Sequence, residues 1–274
     1  MPGVDIFVSI HDMLRHPRIR VLQLARKQIT PDTWTATDVC SGFWRFYCNR
    51  EAGAAIRLAN RQEHQIDPGV MYIIPAWLHF SCVCRKPVDH SYAHAEVVGL
   101  PGPLVRTVFA SPMALDADHG NALREAVARP SGLVRTMAVA GAVHAGVQAA
   151  IEALPATARA RLERACLGDE RLDAVCDYID LHLAEPLDNQ RLAWIAGCTA
   201  DHLGRLFRAR FAQSPAAWVR ERRVARAAEL LLAGDDSIES IATACGFNNR
   251  YHFTRVFSEH LGRPPAAYRR DQHV

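Results

Sequence analysis

Residues 199–208 and 249–257 carry side chains whose chemistry suits a nucleic acid. In the first stretch Asp201, Gly204, Arg205 and Arg208 fall on one side of a helical repeat whose other side is Leu203, Leu206 and Phe207. In the second, Arg250, Tyr251, Thr254 and Arg255 oppose His252, Phe253, Val256 and Phe257. A guanidinium can fork onto guanine O6 and N7, a contact that discriminates against the wrong base by about 1–3 kcal/mol. Arg205 and Arg250 are the candidates for that fork. Asp201 would be repelled by phosphates but can accept from the cytosine amino group. Gly204 offers no side chain and weakens a helix by roughly 1 kcal/mol relative to alanine. Arg255 is either a phosphate clamp or half of a local ion pair.

The charge distribution agrees with that reading. The net charge is only +3, which does not by itself announce a polyanionic partner. Yet residues 200–228 hold seven arginines (205, 208, 210, 220, 222, 223 and 226) against Asp201 and Glu221, and residues 250–270 hold five against Glu259. Positive charge gathers on and after each stretch, where phosphate contacts would be made.

Each stretch follows a short apolar-patterned helix and a glycine. Residues 192–196 precede Gly197, and residues 238–245 precede Gly246. A tight turn between two short helices is the geometry of a helix-turn-helix. Asp188, Thr199, Ser214 with Pro215, Ser237 and either Asn248 or Asn249 are placed to cap successive helices. A longer amphipathic stretch, from Trp218 through Leu231 to Gly234, joins the two units. Upstream, residues 18–98 read as short strands separated by turn signals such as Asp67-Pro68-Gly69, which predicts a small antiparallel sandwich or barrel. Residues 112–167 are alanine-rich and helical. Leu133, Met137, Ala140, His144, Val147, Ile151 and Leu154 recur at alternating spacings of four and three, a heptad-like seam that Pro155 ends. That seam serves either to pack the helix on its own barrel or to pair it with a second copy.

Other residues invite chemistry less clearly. His90, Tyr92, His94 and Glu96 alternate with smaller residues and so share one strand face. That face is either solvated or the polar wall of a small-molecule pocket, with Trp44 or Trp77 as a stacking platform and His79 nearby. Cys82 and Cys84 have no second pair at zinc-site spacing. Residues 44–48 read Trp-Arg-Phe-Tyr-Cys, without the His-x-His of a metal-binding barrel. We therefore expect no metal site, no cofactor and no enzyme activity. Eight scattered cysteines, no leader-like N-terminus and no apolar run near the roughly 20 residues of a membrane span lead us to expect a cytoplasmic chain with reduced thiols and no membrane association.

The C-terminal region resembles the DNA-binding domain of AraC/XylS-type bacterial transcriptional regulators. The resemblance rests on Gly246-Phe247, His252-Phe253-Thr254-Arg255-Val256-Phe257, Gly262, Pro264-Pro265 and Tyr268-Arg269, and in the first unit on Ala196-Gly197 and His202-Leu203 followed by Arg205-Leu206-Phe207. Pro68-Gly69 and Tyr72-Ile73-Ile74-Pro75 resemble the cupin-like sensor domain of the same family. Membership would imply an α+β multidomain chain. Residues 1–110 would form a cupin-like sensor, 111–168 a helical dimerisation segment and linker, and 169–274 an all-α double helix-turn-helix domain. It would also imply that each monomer lays two recognition helices into successive major grooves of double-stranded DNA, the matching readers being Ala200, Asp201, Gly204 and Arg205, then Arg250, Tyr251, Thr254 and Arg255. RNA polymerase, a small-molecule effector and a second copy of the chain are the further partners it implies. An effector-responsive activator is the leading expectation, and an effector-independent regulator the alternative. The effector would act through a hinge near Gly168.

Overall fold

The computed structural model describes residues 18–166 and 170–272. The lead-in expected over residues 1–17 and the hinge expected near Gly168 lie outside them. Two antiparallel sheets face one another, as the strand spacing predicts. One contains β1 (Arg18–Ile29), β7 (Val88–Val98), β2 (Trp44–Asn49), β5 (Tyr72–Ile74) and β8 (Met113–Ala114) in that spatial order. The other contains β4 (Glu63–Gln65), β3 (Ala54–Leu58) and β6 (Phe80–Cys84).

Side chains alternate across a strand, and on β2 and β7 each face meets a different neighbour. Tyr47 and Tyr92 turn toward the second sheet, joining Ile29, Trp34, Ile56, Ile74 and Phe80. Trp44, Phe46, Ala93 and Ala95 turn the other way, into a core completed by helices. Those helices are α1 (Gly102–Val108), α2 (Ala117–Ala128), α3 (Leu133–Glu152) and α4 (Ala156–Cys166). The larger sheet is thus covered on both faces. This corrects the solvated alternative for His90, Tyr92, His94 and Glu96, all of which are buried.

The heptad-like seam on α3 is only partly engaged. The helix buries Val139, Ala142, Val143, Gly146, Val147 and Ala150. Gly146 lets it lie close to the sheet, because a Cβ there would come within 2.7 Å of the Met71 sulfur. The buried stripe is rotated from the seam, so Val147 is buried and Ile151 half-buried while Ala140 is intermediate and His144 exposed. Leu133, Val134 and Met137 at the helix start are 75%, 66% and 64% exposed.

The rest of the described chain is helical: α5 (Glu170–Leu181), α6 (Asn189–Ile195), α7 (Ala200–Phe211), α8 (Pro215–Ala233), α9 (Ile238–Ala244), α10 (Arg250–Leu261) and α11 (Pro265–Gln272). The predicted caps are the actual ones. Asp188, Thr199, Ser214, Ser237 and Asn249 each accept from the backbone N–H three residues on, and each such cap contributes about 1 kcal/mol. Helix α8 is the spine of this region. Trp218 and Val219 near its start sit in a core with α5, α6 and α7. Val224, Ala227, Ala228 and Leu231 farther along sit in the core that also contains Trp44 and Ala95 of the sheet.

Candidate nucleic-acid interface and barrel cavity

The two helix pairs are built alike. Each begins with a seven-residue helix and ends with a twelve-residue one. Between them Gly197 and Gly246 adopt φ of 61° and 74°, a left-handed conformation that only glycine takes at little cost. Leu203, Phe207 and Phe211 bury the inner face of α7, and Phe253, Val256, Phe257 and Leu261 that of α10. Buried on one side, these helices must present the other. Asp201, Arg205 and Arg208 on α7 and Arg250, Tyr251 and Arg255 on α10 are exposed; Ala200, Gly204 and Thr254 are intermediate. Tyr251 is 87% exposed, which is much for an aromatic ring and suits contact with another molecule. His252 departs from expectation. Placed on the inner face by periodicity, it is exposed, with its ring edge-on to Phe247 at 5.8 Å.

The arginines divide into two groups. Many work within the fold. Arg210 pairs with Asp173 at 2.6 Å, both nearly buried. Arg222 bridges Glu96 and Asp180, and Arg223 donates to the carbonyls of Leu183 and Glu185 that follow α5. Arg226 pairs with Glu229, Arg263 donates to the Asp38 carbonyl and Arg269 to that of Asp236. That corrects the reading of the whole cluster as phosphate contacts. Arg205, Arg208, Arg220 and Arg250 are exposed. Arg255 makes an exposed i,i+4 pair with Glu259 at 3.0 Å. Such a pair contributes only about 0.3–0.5 kcal/mol, so a phosphate could replace the carboxylate at little cost.

In the β-sandwich, strand register assembles a second site. Gln23, His94 and Arg45 lie side by side across β1, β7 and β2, followed by Ala25, Tyr92 and Tyr47, then Lys27, His90 and Asn49. With Trp34, Phe80 and Cys82 from the opposite side, most of these line a cavity of about 50 Å³. His90 Nδ1 shares a hydrogen bond with Asn49 Oδ1 at 2.7 Å. Burial, with Lys27 adding to it, pushes His90 down to about 3. Burial, then Arg45, His90 and Lys27, holds His94 well below the ordinary imidazole range. Both rings are therefore neutral near pH 7.

Of the five side chains expected around a ligand, only Tyr92 and His94 line this cavity. Trp44 points to the other face of β2 and packs edge-on against Phe109 at 4.9 Å. Trp77 lies under the Arg106 guanidinium at 5.4 Å. His79 is on the surface, paired with Asp38 at 2.8 Å. The structure thus keeps Tyr92 and His94 together and takes Trp44, Trp77 and His79 away from them. Arg45, Tyr47 and Lys27 carry no local mark in the sequence, because only the long-range pairing of β1 and β2 with β7 brings them to the cavity; Trp34 reaches it from the turn after β1. Among the described residues no three potential metal ligands cluster, and no helix is long and apolar enough to cross a membrane.

Between the two sites runs a chain of charges. Glu96, two residues beyond His94, receives Arg20 at 2.6 Å and also bonds Arg222 of α8. Burial acts to raise its pKa, but Arg222 and Arg20 outweigh burial and hold it below the usual carboxylate range. Arg222 continues to Asp180 of α5 at 2.7 Å, and Arg20 to Glu229 of α8 at 2.6 Å.

Residues 192–271 match the family described as a helix-turn-helix domain. Over 101 residues the chain is 32% identical to the uncharacterized HTH-type transcriptional regulator YbfP of Bacillus subtilis, a match covering 37% of this chain and 34% of that protein. Over 102 residues it is 31% identical to the HTH-type transcriptional regulator GbdR of Pseudomonas aeruginosa, covering 37% of this chain and 28% of that one. The chain thus spans about a third of the length of the curated relatives it matches. Over nearly its full length it resembles the fold of ToxT from Vibrio cholerae, solved with an unsaturated fatty acid bound. That likeness covers 93% of this chain and 97% of that one, with a TM-score of 0.53 at 11% identity, and it concerns the fold alone.

Proposed function

We propose that this chain, whose residues 192–271 are a helix-turn-helix domain of the AraC type, is a sequence-specific DNA-binding transcriptional regulator of the cytoplasm. The observation that carries the reading is the matched pair of recognition helices. Helices α7 and α10 have equal length, equivalent caps and equivalent buried anchors, and both present arginines on the free face. The readers are Ala200, Asp201, Gly204 and Arg205 with Arg208 beside them, and Arg250, Tyr251, Thr254 and Arg255. Helix α8, packed into both cores, fixes the spacing at which they enter successive major grooves. Binding-site selection with Arg205→Ala and Arg250→Ala tests this. Each should relax base preference at one position by roughly fivefold to 150-fold, the equivalent of about 1–3 kcal/mol. If both variants keep the wild-type preference, the reader assignment is wrong.

The chain is effector-responsive in this reading, because one strand links its two ends: β7 lines the cavity with His90 and His94 and then ties Glu96 to α8. A ligand that moves β7 shifts the spacer between the readers, and so biases which half-sites a dimer can span. Activation through contact with RNA polymerase follows from the family resemblance. A cavity of about 50 Å³ is far too small for the fatty acid of that ToxT, so the ligand for this cavity is a smaller molecule. The exposed start of α3, with Leu133, Val134 and Met137, is the surface on which a second copy would pair, with Ala140 and the exposed His144 farther along; Val147 and Ile151 of the same seam are taken up by the chain's own core. Sedimentation of Met137→Glu should show a monomer where the wild type is a dimer; a dimer that persists would remove α3 from the interface.

A further inference from the structure

The cavity between the sheets has a one-sided charge. Lys27 and Arg45 line it together with the neutral His90 and His94 and the Tyr47 and Tyr92 hydroxyl-bearing rings, and none of the described residues that line it is acidic. Arg45 is 2% exposed, donates to Ser41 Oγ and has its guanidinium seated 4.6 Å from the Phe43 ring centroid and 5.2 Å from that of Phe80. Lys27 reaches in from β1 with its ammonium 5.8 Å from the Tyr92 ring centroid. A second, independent observation points the same way. His94 is 9% exposed, and its buried Nδ1 has no hydrogen-bond partner. A buried polar atom left without a partner is destabilising, and a bound ligand would relieve that.

We propose that this cavity binds a small carboxylate, of the size of formate or acetate. An N–H at His94 Nδ1 would donate to one carboxylate oxygen, while Arg45 and Lys27 supply the compensating charge. Size sets the upper limit, since a dry cavity of about 150 Å³ takes benzene and this one is about 50 Å³. Neutral polyols of sugar size are excluded on the same ground. His94 also lines a neighbouring cleft of about 440 Å³, with Arg20, Phe43, Leu230 and Leu232. The ligand's main contact therefore faces α8 on its other side, where a movement of the ring would be felt. The proposal rests on the effector-responsive reading above for its regulatory meaning, and on the cavity alone for its chemistry.

The test is calorimetric titration and thermal shift of the full chain with sodium formate and sodium acetate. Formamide and acetamide serve as neutral isosteres, and sodium chloride controls for ionic strength. Saturable binding of a carboxylate, with at least tenfold weaker binding of its amide, is expected. Lys27→Met, at the half-buried mouth, should weaken binding tenfold or more without unfolding the sandwich; Arg45→Gln should abolish it wherever that variant still folds. Equal binding of the amides, wild-type affinity in Lys27→Met, or no saturable binding of either carboxylate would each overturn the proposal. DNA affinity measured with the same compounds separates the two readings. If a carboxylate binds but leaves DNA affinity unchanged, the effector reading fails and the site stands. If an amide rather than a carboxylate binds and alters DNA affinity, the effector reading stands and the carboxylate site fails.

Discussion

The first helix pair, α6 and α7, rests on a core of its own, in which Leu192, Leu203, Phe207 and Phe211 meet Leu172, Val175 and Ile179 of α5. The second pair, α9 and α10, has no separate core: Ile241, Phe253, Phe257 and Tyr268 belong to the same apolar cluster as Trp44 and Phe46 of the sheet. The β-sandwich reaches the first unit mostly through charge, by way of Arg18–Asp177 and Glu96–Arg222–Asp180. It reaches the second through packing, with Arg263 on the Asp38 carbonyl as a pin. Packed cores move as one body, whereas ion pairs can exchange partners. The first reader is therefore the one that a change in the sandwich can reposition, and the second is its fixed reference.

The largest difference between the two units is expected in Arg222→Ala. It removes a guanidinium from Glu96, which is 3% exposed, and leaves Asp180 without that partner. Leaving a buried charge wholly unpaired costs about 3–5 kcal/mol; Glu96 keeps Arg20, so a loss at the lower end, about 3 kcal/mol, is expected in urea unfolding. Hydrogen exchange should quicken in α5 to α7 while α9 and α10 keep their protection. Equal loss in both pairs would show that they share one foundation.

The turn glycines of the two units differ in their surroundings. A Cβ on Gly246 would lie 2.2 Å from the Leu183 carbonyl oxygen and 2.8 Å from Arg223 Cζ, whereas one on Gly197 meets nothing within 4 Å. Both residues are left-handed, so Gly197→Ala should lose only the conformational cost, about 1–2 kcal/mol. Gly246→Ala adds a collision with backbone, for about 3 kcal/mol or more in total. Similar losses in the two variants, measured by denaturant midpoint at equal slope, would mean the second turn is no more enclosed than the first.

These contrasts separate what was legible in the sequence from what was not. Caps and turns are local: a Thr199 or an Asn249 needs only a backbone N–H three residues away, so type and spacing sufficed. The two helix pairs followed from period and glycine for the same reason. The arginines of α8 carry no such mark. Whether Arg222 meets a phosphate or Glu96 depends on a strand 126 residues away. In the sandwich, alternation put His90, Tyr92 and His94 on one face, but the burial of that face depended on the second sheet packing over it. Trp44 was misplaced by the same ignorance, one residue out of phase with Arg45. The seam on α3 was visible as a period, yet period alone does not say that the sheet engages a neighbouring stripe.

The smallest effect tests the outward face of the weaker reader. Gly204 sits where Thr254 stands in the second unit, and a Cβ added there would meet only Arg208 Nη1, at 3.6 Å. That is ordinary contact, so Gly204→Ala should keep the helix propensity it gains. A stabilisation of about 0.5–1 kcal/mol is expected, seen as a higher urea midpoint for the full chain. If α7 reads bases through Arg205 and position 204 contributes nothing, the added methyl leaves DNA affinity and base preference unchanged. A variant that is more stable but binds the cognate site more weakly would mean that the glycine lets the α7 backbone approach the DNA closely. The first unit would then recognise by fit what the second recognises by side chains, and its shorter set of polar groups would be a feature of its contact with DNA rather than a deficiency.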